Sequence, residues 1–109
     1  MNKEELVALL DSIVEPIVFV DTRHIIRYVN KSAKDKHAKK GYMNLVGSSI
    51  FQCHNERSNE IILDTFKMLQ KGEDEKVIYM NSAKQRVFMR AVRDSDGKLI
   101  GYYERVEKD

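Results

Sequence analysis

The adjacent pair Cys53-His54 is where this chain of 109 residues concentrates its reactive side chains. An imidazole can ligate a metal, carry a proton or anchor a backbone group, and a thiol can act as a nucleophile. The two stand at the entry of a long amphipathic helix. Neighbours on a helix point about 100° apart, so one metal would not take both. Projected along that helix, His54 falls on the side of Ile61 and Thr65 and faces the core. Two roles stay open for it: contact with a ligand in a cavity, or an anchor to a helix end or backbone carbonyl. Cys53 is the single cysteine, so it has no partner for an internal disulfide and reads as a small buried hydrophobe. His37 stands among five lysines in NKSAKDKHAKK and reads as exposed, without the carboxylate or second imidazole that a metal site needs. No carboxylate pair, Ser/His/Asp set, phosphate-binding glycine loop or metal-spaced cluster is present, so catalysis is not expected.

The element that positions His54 runs from about Ser58 to Lys71. Ile62, Phe66 and Leu69 form its apolar stripe, with Ile61 and Met68 beside them and Asp64, Lys67 and Gln70 opposite. Asn55 or Ser58 supplies the N-cap and Gly72 the stop. Before it, Asn2 and Glu5 have capping-box spacing, and Leu6, Leu10 and Ile13 line one side of a first helix that Pro16 ends. Ile17 to Val20 reads as a strand, Asp21-Thr22-Arg23 as a tight turn, and His24 to Val29 as a second strand. Asn30 caps a short solvated helix reaching Lys40. Three further strands span residues 75–80, 85–93 and 98–106, joined by hairpins at residues 81–84 and 94–97, the second with Gly97 at a position that requires positive φ. Alternation along the last two strands places Gln85, Val87, Met89, Ala91, Gly101 and Tyr103 on one face. Phe88, Arg90, Val92, Ile100, Tyr102 and Glu104 fall on the other. Both faces carry apolar residues, so both need covers: the long helix and the N-terminal helix.

A hydrophobic share of 42%, a charged share of 33% and a formal net charge of +2 describe one ordinary globular domain. Neither nucleic acid nor a membrane is expected as a partner, because the lysine run lacks interleaved aromatics and the net charge is small. No apolar run matches a signal peptide or a spanning helix, so a soluble, cytoplasmic protein is expected.

PIVFVDTRHIIRYVN, LVGSSIF and DSDGKLIGYY, in this order, are similar to the opening hairpin, helix entry and last hairpin of PAS domains, and the likeness covers the chain from about Leu10 onward. It implies an α+β fold: a five-stranded antiparallel sheet of order 2-1-5-4-3, with short helices and one long helix on one face. Residues 1–15 would then be an N-terminal amphipathic helix and residues 16–109 the PAS domain. Cys53-His54-Asn55-Glu56-Arg57-Ser58 also resembles the helix entry of PAS domains attached to hemerythrin-like modules, which makes His54 a candidate site.

The resemblance implies a sensory or regulatory module that binds a small ligand or cofactor between the long helix and the inner sheet face. Val18, Val20, Ile62, Phe66, Val87, Met89 and Tyr103 should line that space, with His54, Ile61 and Thr65 beside them. A flavin is disfavoured, because the position of the reactive cysteine of flavin-binding relatives is Ile50 and Cys53 lies three residues beyond it. The proximal histidine of oxygen-sensing haem relatives would fall at Ile61, so haem would need His54 as its axial ligand in another pose. The ligand itself is not legible. The alternative is a ligand-free dimerisation or docking domain whose core is filled by Phe66, Met68, Met89 and Tyr103. A homodimer is expected through Leu6, Leu10 and Ile13 with Phe88, Val92, Ile100 and Tyr102. No output domain is evident, so the signal is expected to pass to a partner protein.

Overall fold

The computed structural model describes residues 1–41 and 44–107, with the backbone alone for Cys53; the expected burial of its thiol lies outside the described residues. Helix α1 is Lys3–Ser12, and the Asn2/Glu5 capping box forms in both directions, at 2.8 and 3.0 Å. It stops at Ser12 rather than running to Pro16, with Ile13 already extended. Strand β1 is Val18–Asp21, β2 is Ile26–Val29, and α2 is Lys31–Lys39. A short 3-10 turn, Ile50–Cys53, leads to α3, Glu56–Gln70, and then to β3 (Glu75–Met80), β4 (Arg86–Arg93) and β5 (Leu99–Val106). All strand pairs are antiparallel and the sheet order is β2-β1-β5-β4-β3. That is the order the family resemblance implies.

All three hairpins are built on one frame. Asp21, Asn81 and Asp94 each open a three-residue loop and accept, through one side-chain oxygen, the amides two and four residues on. The third loop residue sits at positive φ in each: His24, Lys84 and Gly97, at 65°, 62° and 82°. Only glycine takes that conformation without strain.

Asn30 ties α1 to the body. It is fully buried, and its Oδ1 accepts the amides of Ile17 at 2.9 Å and Ala33 at 3.0 Å. Its Nδ2 donates to the carbonyls of Leu10, Ile13 and Glu15, at 3.2, 3.3 and 3.0 Å. One side chain thus caps α2 and satisfies the end of α1. Asp11 completes the joint by accepting from the Tyr28 hydroxyl and the Lys31 amide.

The inner sheet face carries Val20, Ile26, Val87, Met89 and Tyr102, packed against Ile62, Phe66 and Leu69 of α3. Here the expected phase of β5 is corrected. Val92 pairs with Gly101 while Arg93 pairs with Leu99, which leaves Ile100 as an extra residue in β5. Such a bulge shifts everything beyond it by one, and a one-residue shift exchanges the faces of a strand. Tyr102 and Glu104 therefore share the inner face with Ala91 and Met89, their direct partners, and Tyr103 lies on the outer face opposite Arg90. Tyr102 is 1% exposed and is no part of an outer interface. Neither Tyr103 nor Met68, which is 42% exposed, fills the core. The outer face has its own order: Glu75 accepts two hydrogen bonds from Arg105, at 2.6 and 2.9 Å, and the Arg105 guanidinium lies over the Phe88 ring at 4.3 Å. Those bonds hold the Glu75 carboxyl below its ordinary range. Helix α1 packs beside α2 and keeps Leu6 and Leu9 exposed.

Candidate functional site

His54 is not part of α3. Its backbone is extended, between the 3-10 turn capped by Ser49 and the helix capped by Asn55. The two caps, Ser49 Oγ accepting from the Phe51 amide and Asn55 Oδ1 from the Ser58 amide, fix the chain on either side of it. Its Nδ1 lies 2.9 Å from the Ile50 carbonyl oxygen. A carbonyl only accepts, so Nδ1 carries the proton and Nε2 is left as the second functional nitrogen. The backbone-anchor role is thus present, and it leaves half of the ring for something else.

His54 lines a cavity of about 520 Å³ between α2 and the inner face of the sheet. Val18, Val20, Ile26, Val87 and Val106 form its apolar wall, and Lys36, His37 and Lys40 bound it from the helical side. Tyr79, Asn81 and Ser82, at the end of β3 and in the second hairpin loop, contribute its remaining polar rim. Glu104 stands on the sheet wall, placed there by the bulge at Ile100. Burial raises the Glu104 carboxyl above its ordinary range, against the pull of charge on His54 and Lys36. Burial likewise raises the Tyr79 hydroxyl, with the Glu104 charge adding to it. Behind His54 and Glu104 a crevice of about 10 Å³, closed by Ile61, Ile62 and Ile78, has room for about one water.

Of the expected pocket residues, His54, Val18, Val20 and Val87 meet at the cavity, and Ile61 and Ile62 touch its rear crevice. Thr65, Phe66 and Met89 are buried in the packed core instead, and Tyr103 faces away. His37 is not simply exposed: it is half-buried, and its Nδ1 donates to the Ala33 carbonyl at 2.8 Å, four residues back, as His54 does to Ile50. The sequence does not mark Glu104, Lys36, Lys40 or Tyr79 as site residues. A helical phase drawn from Asn30 would have brought Lys36 and Lys40 to one side. No signal short of the bulge would have found Glu104.

The other half of the inner face is closed. The His24 ring packs on Phe51, Phe66 and Tyr102 at centroid distances of 4.9, 4.8 and 5.7 Å. Its Nδ1 is 2.8 Å from the Tyr102 hydroxyl. Burial lowers the His24 imidazole below its ordinary value and raises the Tyr102 phenol.

A family model described as PAS domain matches residues 6–107. The chain belongs to the PAS family. Among solved structures, this PAS domain is similar to the C-terminal domain of a Streptococcus mutans protein, with TM-score 0.78 and 24% identity, over 99% of this chain and 85% of that one. It is similar also to a PAS domain from Colwellia psychrerythraea, with TM-score 0.69 and 12% identity, over 97% and 95% of the two chains. A third is a sensory box sensor histidine kinase from Vibrio cholerae, with TM-score 0.64 and 14% identity, over 98% and 91%. At these identities the likeness is one of fold. No curated protein matches the chain. No helix among the described residues is long and apolar enough to cross a membrane.

Proposed function

We propose that this PAS domain is a non-catalytic sensory module that binds a small molecule in the cavity between α2 and the inner sheet face. The observation that carries the reading is the pairing of an apolar wall with convergent polar groups, His54 Nε2 and the Glu104 carboxyl, in a space of about 520 Å³. Ligand sites have this composition and size. A route outward is built into the same wall. Lys36 and His37 belong to α2, the N-terminus of α2 is capped by Asn30, and Asn30 also holds the last carbonyls of α1. A ligand that displaces α2 therefore loads α1, whose exposed Leu6 and Leu9 are available to a second copy or a partner protein. Methyl-resolved NMR of the valines against a fragment library tests the reading. Hits should shift Val18, Val87 and Val106 together and then move α1; shifts scattered over the surface would defeat it.

The geometry of His54 favours a second reading, haem. A metal-bound histidine characteristically donates its other ring N–H to a carbonyl, which is the bond His54 makes to Ile50. His54 would hold the iron and Lys36 and Lys40 the porphyrin carboxylates. Haem, when bound, would supply a gas-binding or redox centre. Titration of wild type and His54→Ala followed by absorbance separates the readings: a sharp band in the wild type alone supports haem, and equal weak changes in both exclude it.

A further inference from the structure

Glu104 differs from the acidic groups around it. Glu75 is matched to Arg105, Glu107 to Arg86 and Asp21 to two backbone amides. The Glu104 carboxyl accepts no hydrogen bond from a described residue, although it is half-buried on the cavity wall. Its oxygens are open to the cavity and not sealed among protein groups, so a donor on a ligand can reach them. Beside it, His54 Nε2 is an acceptor whenever the ring is neutral, because Nδ1 holds the proton. With Glu104 ionised, two acceptors face one space and ask for a group with several N–H bonds. A metal ion fits less well, since no three His, Cys, Asp or Glu residues converge anywhere among the described residues, and two protein ligands are few for a resident ion.

Across the cavity the chemistry is reversed. Lys36 and Lys40, one helical turn apart, offer only donors, and neither is ion-paired with a described residue. The lining between the two poles is aliphatic, from Val18, Val20, Val87 and Val106.

We propose that the ligand is a small zwitterion, with a protonated amine or amidine group at Glu104 and His54, an anionic group at Lys36 and Lys40, and a hydrocarbon or aromatic spacer along the valines. The proposal rests on the small-molecule reading above and narrows it. The probes are 6-aminohexanoate and 4-(aminomethyl)benzoate, each against its two halves: hexanoate and hexylamine, benzoate and benzylamine. Binding is followed by shifts of the Val87 and Val106 methyls. At least one zwitterion should bind about tenfold more tightly than either of its halves. Glu104→Gln should remove its advantage over the carboxylate half, and Lys36→Ala with Lys40→Ala its advantage over the amine half. Thermal melts of the variants confirm that the fold is kept. A zwitterion no tighter than its halves, or unaffected by Glu104→Gln, overturns the proposal and leaves the cavity reading standing. Silence from every probe also overturns it, and the fragment screen then judges the cavity reading separately.

Discussion

The two ends of the inner sheet face carry the same device and use it differently. Each has a histidine held through Nδ1, His24 by the Tyr102 hydroxyl and His54 by the Ile50 carbonyl. At the His24 end, Phe51, Phe66 and Tyr102 fill the space around the ring. At the His54 end the wall is made of valines, which are too short to reach α2, and about 520 Å³ is left. A half-buried histidine is therefore not in itself a functional mark. What decides is the bulk of the residues opposite, and the strained position of His24 at positive φ is held by its packing.

The strongest way to break the comparison is Phe66→Ala, which should open the closed end at a loss of about 3–5 kcal/mol, read from urea unfolding. A loss under about 1 kcal/mol would mean that the aromatic cluster does not hold that end. Tyr102→Phe removes the His24 partner alone and should lower stability by about 1 kcal/mol, because the half-buried imidazole loses its hydrogen bond.

Acid and base should then separate the two ends with opposite slopes. The fold favours neutral His24, so below the ordinary value of 6.5 the unfolded chain binds more protons. Its contribution is complete above that pH and is lost as the pH falls through the lowered native value. The fold also favours protonated Glu104, so its contribution is complete below the ordinary value of 4.5. That contribution disappears as the pH rises through the raised native value. Stability against pH for His24→Phe and Glu104→Gln should each lose one of these slopes and keep the other. The smallest effect belongs to Val18→Leu: Val18 is half-buried on the cavity wall, and one methylene added towards that space should raise stability by no more than about 0.8 kcal/mol. The same addition in the packed end would overfill it.

The sequence makes the element order, the capping box at Asn2, the stripe of α3 and the Gly97 turn legible, because each rests on local spacing. His54 precedes a helix that begins only at Glu56, yet it borders Ile61 across the crevice, since the chain entering the helix passes the same wall. The face of Glu104 and Tyr102 is hidden in the sequence for a different reason. Alternation supports either phase when both faces are apolar, and the tie is broken by pairing between strands, which one strand alone does not reveal. His24 and Lys84 hold the same left-handed position as Gly97 without its glycine, so the shared hairpin frame is visible only in the Asx hydrogen bonds.

The bulge at Ile100 also has a meaning at the level of the gene. A codon lost at Leu99 or Ile100 would let the ladder close without the extra residue, and Tyr102, Glu104 and Val106 would keep their orientation. A codon lost just beyond it, at Tyr102 or Tyr103, would carry Glu104 to the outer face while the hairpin stayed intact. Length variation in this strand is thus tolerated on one side of a single residue and rewrites the chemistry of the cavity on the other, so that one in-frame deletion could change what the domain recognises without altering any inherited side chain around it.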